Sequence, residues 1–395
     1  MKQLEVSLSD LDREFLADVR TFLDEHLEPD LVAADDDQRM FFGDYHRSKE
    51  WMDKLRKRNW HVAEWPKKYG GCGLSALQNY LLLYEQGLRG APFIRPMGLK
   101  YVGLTVMEFG TQAQKDEILP RLISGEDHWC QGFSEPSAGS DLGNVVTYAE
   151  RRGDAYVVNG SKIWTTDAQF ADKIFCLVRT RKDNSKEALS FVLIDMNDPG
   201  VSIQPIRLLG GDHELNQVFF DEVEVFPEQL LGPEGGGWAV AKYLLEIERG
   251  AFVFGGRLRR RLQRLINAVS SGNQSSRFWN RIAEFEIDLM AYEATELKLG
   301  HLSDGGTESL AAANIIKIEW TELAQRIDEL AVMSGNAASL YCQSESADSV
   351  YAANGEIEML GWLASYFNNR ATTIYGGSNE IQRNLIYRSM KQRWA

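Results

Sequence analysis

No run of about 18 apolar residues occurs anywhere in the 395-residue chain, so nothing in it reads as a membrane-spanning helix. The opening MKQLEVSLSD has neither the basic start nor the apolar core of a signal peptide, and the expectation is a cytoplasmic protein without membrane insertion. Cysteine is scarce: Cys72, Cys130, Cys176 and Cys342 stand far apart with no CxxC pair, as reduced, buried thiols do. The six histidines fall in no ligand spacing, so no metal is expected. Basic charge is also short. Against 57 Asp and Glu there are 43 Lys and Arg, a net charge of −14, which disfavours nucleic acid as a partner and obliges any phosphate-bearing ligand to find a local cradle.

What is present is organised in three blocks. Leu8, Leu11, Phe15, Val19, Phe22 and Leu23 recur at three- and four-residue steps, as on the buried face of an amphipathic helix. Helical patterns continue to about Leu122, broken by WPKKYGGCG (65–73), GAPFIRP (90–96) and the GT of FGTQAQKDEILPRL. Between about 130 and 225 the signal turns to strands: Asn159 and Gly160 read as a type I′ hairpin turn, KIFCLV and LSFVLI as buried strands, and VFFDEVEVF alternates. After Gly237 helices resume, and Ile316, Trp320, Leu323, Ile327 and Leu330 make a bundle seam. SSGNQSS (270–276) reads as a polar loop, and the plan is helix bundle, β domain, helix bundle.

Three short stretches carry chemistry. In ATTIYGGSNEIQR (371–383), Gly376 and Gly377 can take positive φ before a helix capped by Ser378, which makes either a ligand cradle with free amides or an ordinary connector. GFSEPSAGSDLG (132–143) exposes amides and hydroxyls at the entry to the β block. KIWTT (162–166) sets Trp164 beside two hydroxyls, suited to a planar cofactor or to a core.

The order SEPSAGSDL, NGSKIWTT, IYGGSNEIQR across this plan resembles the acyl-CoA dehydrogenase family over nearly the whole chain, with WPKKYGGCGLS, FGTQAQKDEILPRLISGE and VFFDEVEV in support. The chain looks most like the large subunits of bacterial members such as pimeloyl-CoA dehydrogenase and steroid-degradation enzymes. The resemblance implies an α+β, mainly α fold: an N-terminal helical domain (1–128), a middle antiparallel β domain (129–232) and a C-terminal four-helix bundle (233–395). It implies FAD as cofactor, an acyl-CoA substrate, electron-transfer flavoprotein as acceptor, and either a homotetramer or an α2β2 assembly with a related small subunit. Gln131, Phe133, Ser134, Gly139 and Ser140 would line the flavin, Ser134 at its pyrimidine side and Ser140 towards the pyrophosphate or the CoA arm. Trp164, Thr165 and Thr166 would sit by the isoalloxazine, Ser378 and Asn379 would complete the cofactor site, and Ser140, Arg249 and Gly377 would meet substrate.

Many members carry their catalytic glutamate where this chain has Gly376, and a glycine cannot remove a proton. A minority branch, including isovaleryl-CoA dehydrogenase, supplies it from a helix of the second bundle just before an arginine, and here LLEIERGAFVFGG places Glu248 before Arg249. Helical spacing agrees. Glu248 has Leu244, Leu245, Ala251 and Phe252 as its i±3 and i±4 neighbours, whereas Glu246 has Lys242, Tyr243, Arg249 and Gly250. A carboxylate in an apolar stripe has its pKa raised by desolvation towards that of a useful base. The reaction implied is α,β-desaturation, with Glu248 taking the α-proton and the Gly376 amide, with a flavin ribityl hydroxyl, polarising the thioester carbonyl.

Two family segments are replaced, Arg-x-x-Phe-Gly by SGNQSSRFWNRI and QxxGGxG around ELAVMSGNAAS, which bears on how the adenine half of FAD is held. GRLRRRLQR (256–264) is either a phosphate or partner site or a solvated face, and Arg89, Arg95 or Lys100 either meets a distal substrate carboxylate or is surface charge. The rival readings are a non-catalytic subunit that completes a partner's site and an acyl-CoA oxidase.

Overall fold

The computed structural model describes residues 8–36, 40–183, 185–250, 253–269, 274–301, 307–334 and 361–394. In the N-terminal block, the Ser9 hydroxyl accepts from the Asp12 amide to cap α1 (Asp10–His26), which buries Leu16, Val19, Phe22 and Leu23. Leu11, expected on that face, is 73% exposed. Leu8 and Leu16 take the buried places instead. There follow α2 (Pro29–Asp36), α3 (Tyr45–Arg56), α4 (Ala76–Arg89), a π-helical segment (Met97–Val102), α5 (Gly103–Phe109) and α6 (Gln112–Ser124). The GT break is an N-cap, Thr111 and Gln114 forming a reciprocal capping box. Gln114 also donates to Glu228 O and Leu230 O at the far end of the β block, so one side chain ties the two blocks together.

The middle block is a seven-stranded sheet of β1 (Trp129–Gly132), β2 (Tyr148–Arg152), β3 (Ala155–Thr166), β4 (Lys173–Arg179), β5 (Leu189–Asp195), β6 (Val201–Ile206) and β7 (Leu215–Val225). Its order is β1-β4-β2-β3-β7-β6, with β5 also on β4. Most neighbours run antiparallel, but β4 is parallel to both β1 and β2. β1 enters straight from α6 rather than through a hairpin, so its direction is not set by a tight turn. The expected turn at Asn159 and Gly160 is not there. β3 runs straight through both, and β2 and β3 close at Arg152 and Ala155, with their turn at Gly153 and Asp154. Gly160 instead serves close approach: a Cβ there would stand 2.7 Å from Thr147 Oγ1.

The C-terminal block comprises α7 (Gly237–Gly250), α8 (Gly255–Val269), α9 (Ser276–His301), α10 (Thr307–Ser334), α11 (Trp362–Asn368) and α12 (Asn379–Trp394). Ile316, Trp320, Leu323 and Ile327 are buried in its core as their spacing predicts. The expectations for Cys342, and parts of those for SSGNQSS (270–273) and ELAVMSGNAAS (335–339), lie outside the described residues. The basic cluster on α8 is internal wiring: Arg257 pairs with Asp35, Arg259 with Glu286 and Glu293, and buried Arg261 with Asp328. Among the described residues no helix is long and apolar enough to cross a membrane.

Candidate active site

Two clusters make the site, one on the sheet and one on the helices. On the sheet, β1 leads Gln131 and Phe133 into the loop that carries Ser134, and the Ser134 carbonyl accepts from the Ile163 amide at 2.9 Å, stitching that loop to β3. Phe133 is buried against Phe175 and Phe191, so its ring supports the loop from below. Gly139 and Ser140 are exposed, with open space above Gly139.

A pair that the sequence reading overlooked holds this loop. Lys162, fully buried, donates to Glu135 Oε1 (2.6 Å), Phe133 O (3.2 Å) and Leu177 O (2.6 Å). Glu135 in turn accepts the amides of Val146 (2.6 Å) and Thr147 (3.0 Å). Burial works to raise the Glu135 pKa, but the Lys162 ammonium and these amides overcome it, and the carboxyl lies below its usual range. Both residues lie inside the SEPSAGSDL and KIWTT motifs, but they stand 27 residues apart and no local pattern pairs them.

β3 ends in a bulge. Its register with β7 shifts between Lys162 and Thr165, and Trp164 takes φ +62°, a left-handed conformation costing a non-glycine residue roughly 1–2 kcal/mol. The strain turns the indole outwards, and Trp164 is 55% exposed. Thr165 is buried with no partner for its hydroxyl, and Thr166 is half-buried beside it. An outward-facing aromatic plane followed by a half-buried hydroxyl suits a flat, heteroatom-rimmed cofactor.

On the helical side, Gly376 and Gly377 have φ of +63° and +82°. Gln382 Nε2 donates to the carbonyls of both, at 3.2 and 3.0 Å, so these carbonyls turn back towards α12. Ser378 caps α12, its hydroxyl accepting weakly from the Ile381 amide at 3.4 Å. Asn379 is buried and turned to α10: its Oδ1 accepts from Lys317 Nζ at 2.9 Å and its Nδ2 donates to Glu322 at 3.2 Å. A Cβ built on Gly376 would have Glu248 Oε1 as its nearest neighbour, 3.6 Å away. The α7 carboxylate therefore looks across a side-chain-sized gap at the first glycine. Leu244, one turn earlier, is fully buried, while Glu246 is exposed, the division the helical spacing predicts. The side chain of Arg249 lies outside the described residues.

The surroundings of Glu248 are electrostatically coupled to it. Its charge adds to burial in pushing the Tyr101 pKa well above the ordinary value, and Tyr101 belongs to the π-helical segment. Burial brings Lys317 down to about 8, against the pull of Glu380, Glu248 and Glu322. The two clusters meet through the loop at 40–43: Glu214, next to the β7 residue paired with Thr166, accepts the amides of Phe41 and Phe42 at 2.9 Å, and the Phe41 ring lies 5.6 Å from that of Tyr375. Arg89, Arg95 and Lys100 each stand beside a carboxylate of this chain. They pair with Asp24, Asp167 and Glu64.

Three family models match: acyl-CoA dehydrogenase N-terminal domain over residues 9–126, middle domain over 130–223 and C-terminal domain over 235–391. The chain belongs to the acyl-CoA dehydrogenase family. Acyl-CoA dehydrogenase IpdE1 of Mycolicibacterium smegmatis is 33% identical, over 95% of this chain and 96% of that one. Among solved structures, a steroid acyl-CoA dehydrogenase, Tcur3481-Tcur3483, superposes with a TM-score of 0.83 at 26% identity over 98% of both chains. The ChsE4-ChsE5 complex from Mycobacterium tuberculosis gives 0.82 at 26% over 97% of both. This family member is thus an FAD-dependent oxidoreductase of acyl-CoA thioesters. The exposed indole of Trp164 and the half-buried Thr166 are of a chemistry that suits a flavin.

Proposed function

We propose that the protein catalyses α,β-desaturation of an acyl-CoA with Glu248 as the base. The observation that carries this is the 3.6 Å approach of Glu248 Oε1 to the Cβ position of Gly376, which puts a carboxylate at the gap where the substrate's α-carbon would lie. Gly376, having no side chain, leaves room for the thioester, and its amide donates to the carbonyl oxygen so that the α-proton becomes acidic. Gln382 holds the neighbouring carbonyls back. Bound FAD supplies the hydride acceptor for the β-carbon. Trp164 and Thr166 give it a face and a hydrogen-bond partner, with Gln131, Ser134 and Ser140 along its edge. Ser378 and Asn379 act on the cofactor side by fixing the glycine loop, and Arg249 and Gly377 complete the substrate side.

We infer further that the working unit contains a second chain of the same fold, either a copy or a smaller relative, with electron-transfer flavoprotein receiving the electrons. Trp279, Ile287 and Met290 on α9 and Tyr387 and Met390 on α12 are exposed apolar side chains on the C-terminal block. The ChsE4-ChsE5 structure is itself a complex of two chains. The test is to purify the chain alone and beside a co-expressed small relative, measure FAD per chain from the visible spectrum, and add acyl-CoA without oxygen. Bleaching of a flavin band supports the reading. A fully loaded flavoprotein that no acyl-CoA bleaches overturns it.

A further inference from the structure

A cavity of about 40 Å³ lies where the N-terminal helices meet the start of the sheet, and Tyr45, Lys49, Arg95, Asp127, His128 and Trp129 are among its lining residues. It includes neither Glu248 nor the glycine loop. Arg95 and Trp129 are 5% and 2% exposed, yet Arg95 Nε and Trp129 Nε1 have no hydrogen-bond partner, and neither has His128 Nε2. A guanidinium N–H and an indole N–H can only donate, so what the cavity lacks is an acceptor. Native interiors leave few such groups unsatisfied, and two donors around one cavity mark a ligand or ordered water.

Other polar groups of the lining already have partners. Arg95 Nη1 is paired with Asp167 and its Nη2 donates to Gly43 O at 2.8 Å. Both oxygens of Asp127 are held by Arg121, at 2.7 and 2.6 Å. His128 Nε2 stands 4.0 Å from Asp167 Oδ2, beyond hydrogen-bond reach, and burial together with the charges of Arg95 and Lys49 lowers its pKa to about 3. The imidazole is therefore neutral, in a potential set by cations. Lys49, an exposed residue of the lining, has no carboxylate partner among the described residues. A volume of this size takes roughly three atoms of water's size, enough for one carboxyl group and too small for a nucleotide.

We propose that this cavity is a carboxylate-binding site, in which Trp129 Nε1 and Arg95 Nε donate to the carboxylate oxygens and Lys49 supplies the compensating charge. The carboxylate belongs either to a free small acid or to the far end of a carboxyacyl substrate; the chemistry of recognition is the same. The site's existence does not depend on Glu248 being the base.

The experiment titrates the flavin-loaded protein with sodium succinate, and with sodium chloride at equal ionic strength, following thermal unfolding. Wild type is compared with Trp129→Phe, which removes the N–H and keeps a ring, and with Lys49→Gln, an exposed position that tolerates the change. The expected result is a saturable succinate stabilisation with half-saturation roughly tenfold higher in either variant, the worth of one charge-assisted hydrogen bond. Turnover with acyl-CoA substrates that have or lack a terminal carboxyl then distinguishes the sources. Competition by succinate, with a Trp129→Phe loss confined to the carboxyl-bearing substrate, assigns the site to the substrate's tail. Saturable binding without competition assigns it to a free acid. Absence of both saturable stabilisation and a substrate-selective loss overturns the proposal and leaves water as the occupant.

Discussion

Replacing Lys162 by Met should damage the protein through the partner it leaves behind. Glu135 and Lys162 are 4% and 0% exposed and share a 2.6 Å contact. Removing one member of such a pair strands a buried charge, at a cost of about 3–5 kcal/mol. In a chain of this size that lowers the unfolding midpoint by on the order of 4–6 °C. The loop bearing Phe133 and Ser134 loses an anchor at the same time, since Lys162 also donates to Phe133 O, so flavin retention should fall with stability. Adding Glu135→Gln should restore much of the loss: a neutral amide needs no counter-charge, and its oxygen still accepts from one of the two amides that Glu135 now serves. The assay is thermal unfolding of the two variants, with flavin content read after gel filtration. A Lys162→Met protein that unfolds within a degree of wild type refutes the reasoning, and a double variant no better than the single one shows that packing rather than charge sets the cost.

Three further outcomes follow from the site. Trp164→Gly relieves a left-handed residue, so unfolding of the apoprotein should show no loss of stability despite removal of the largest side chain, while flavin affinity falls several-fold in a fluorescence titration. Gly376→Ala should fold, at a cost of about 1–2 kcal/mol for its positive φ, because its Cβ meets only Glu248 Oε1 at 3.6 Å; the methyl group fills the gap, and the rate of flavin bleaching by acyl-CoA should fall far more than stability does. Glu214 is pushed up to about 7, chiefly by burial, from an ordinary 4.5. Its folded pKa is the higher one, so its contribution is fully present below about 4.5 and is lost as pH rises through about 7; stability of Glu214→Gln, measured by denaturant unfolding across that window, should decline less with pH than wild type.

The three-block plan was legible because the hydrophobic period changes twice, from helical to alternating and back, and those changes survive any detail of packing. The proposal for Glu248 starts from a related signal: a carboxylate one turn from Leu244, with Glu246 on the polar side, departs from what a solvated helix face requires. Local rules failed where a distant contact decided the outcome. Asn159-Gly160 has the dipeptide of a hairpin turn, yet Thr147 packs against Gly160 and the strand continues. Arg95 lies beside a Gly-Pro break, and the Asp167 that takes one end of its guanidinium comes 72 residues later. The dense arginines of α8 look like a surface charge patch; their partners Asp35, Glu293 and Asp328 come from three other helices, a pairing no sequence window contains. The bulge that exposes Trp164 depends on β7 register and was equally out of reach.

The central claim is that Glu248 removes the proton, and anaerobic stopped-flow spectroscopy of Glu248→Gln tests it most directly. The substitution keeps the size of the side chain and the space before Gly376, so the variant should bind flavin as wild type does and still take up acyl-CoA, while the flavin band bleaches at least roughly a thousandfold more slowly. Bleaching at the wild-type rate would contradict the account and require a base from elsewhere in the assembly.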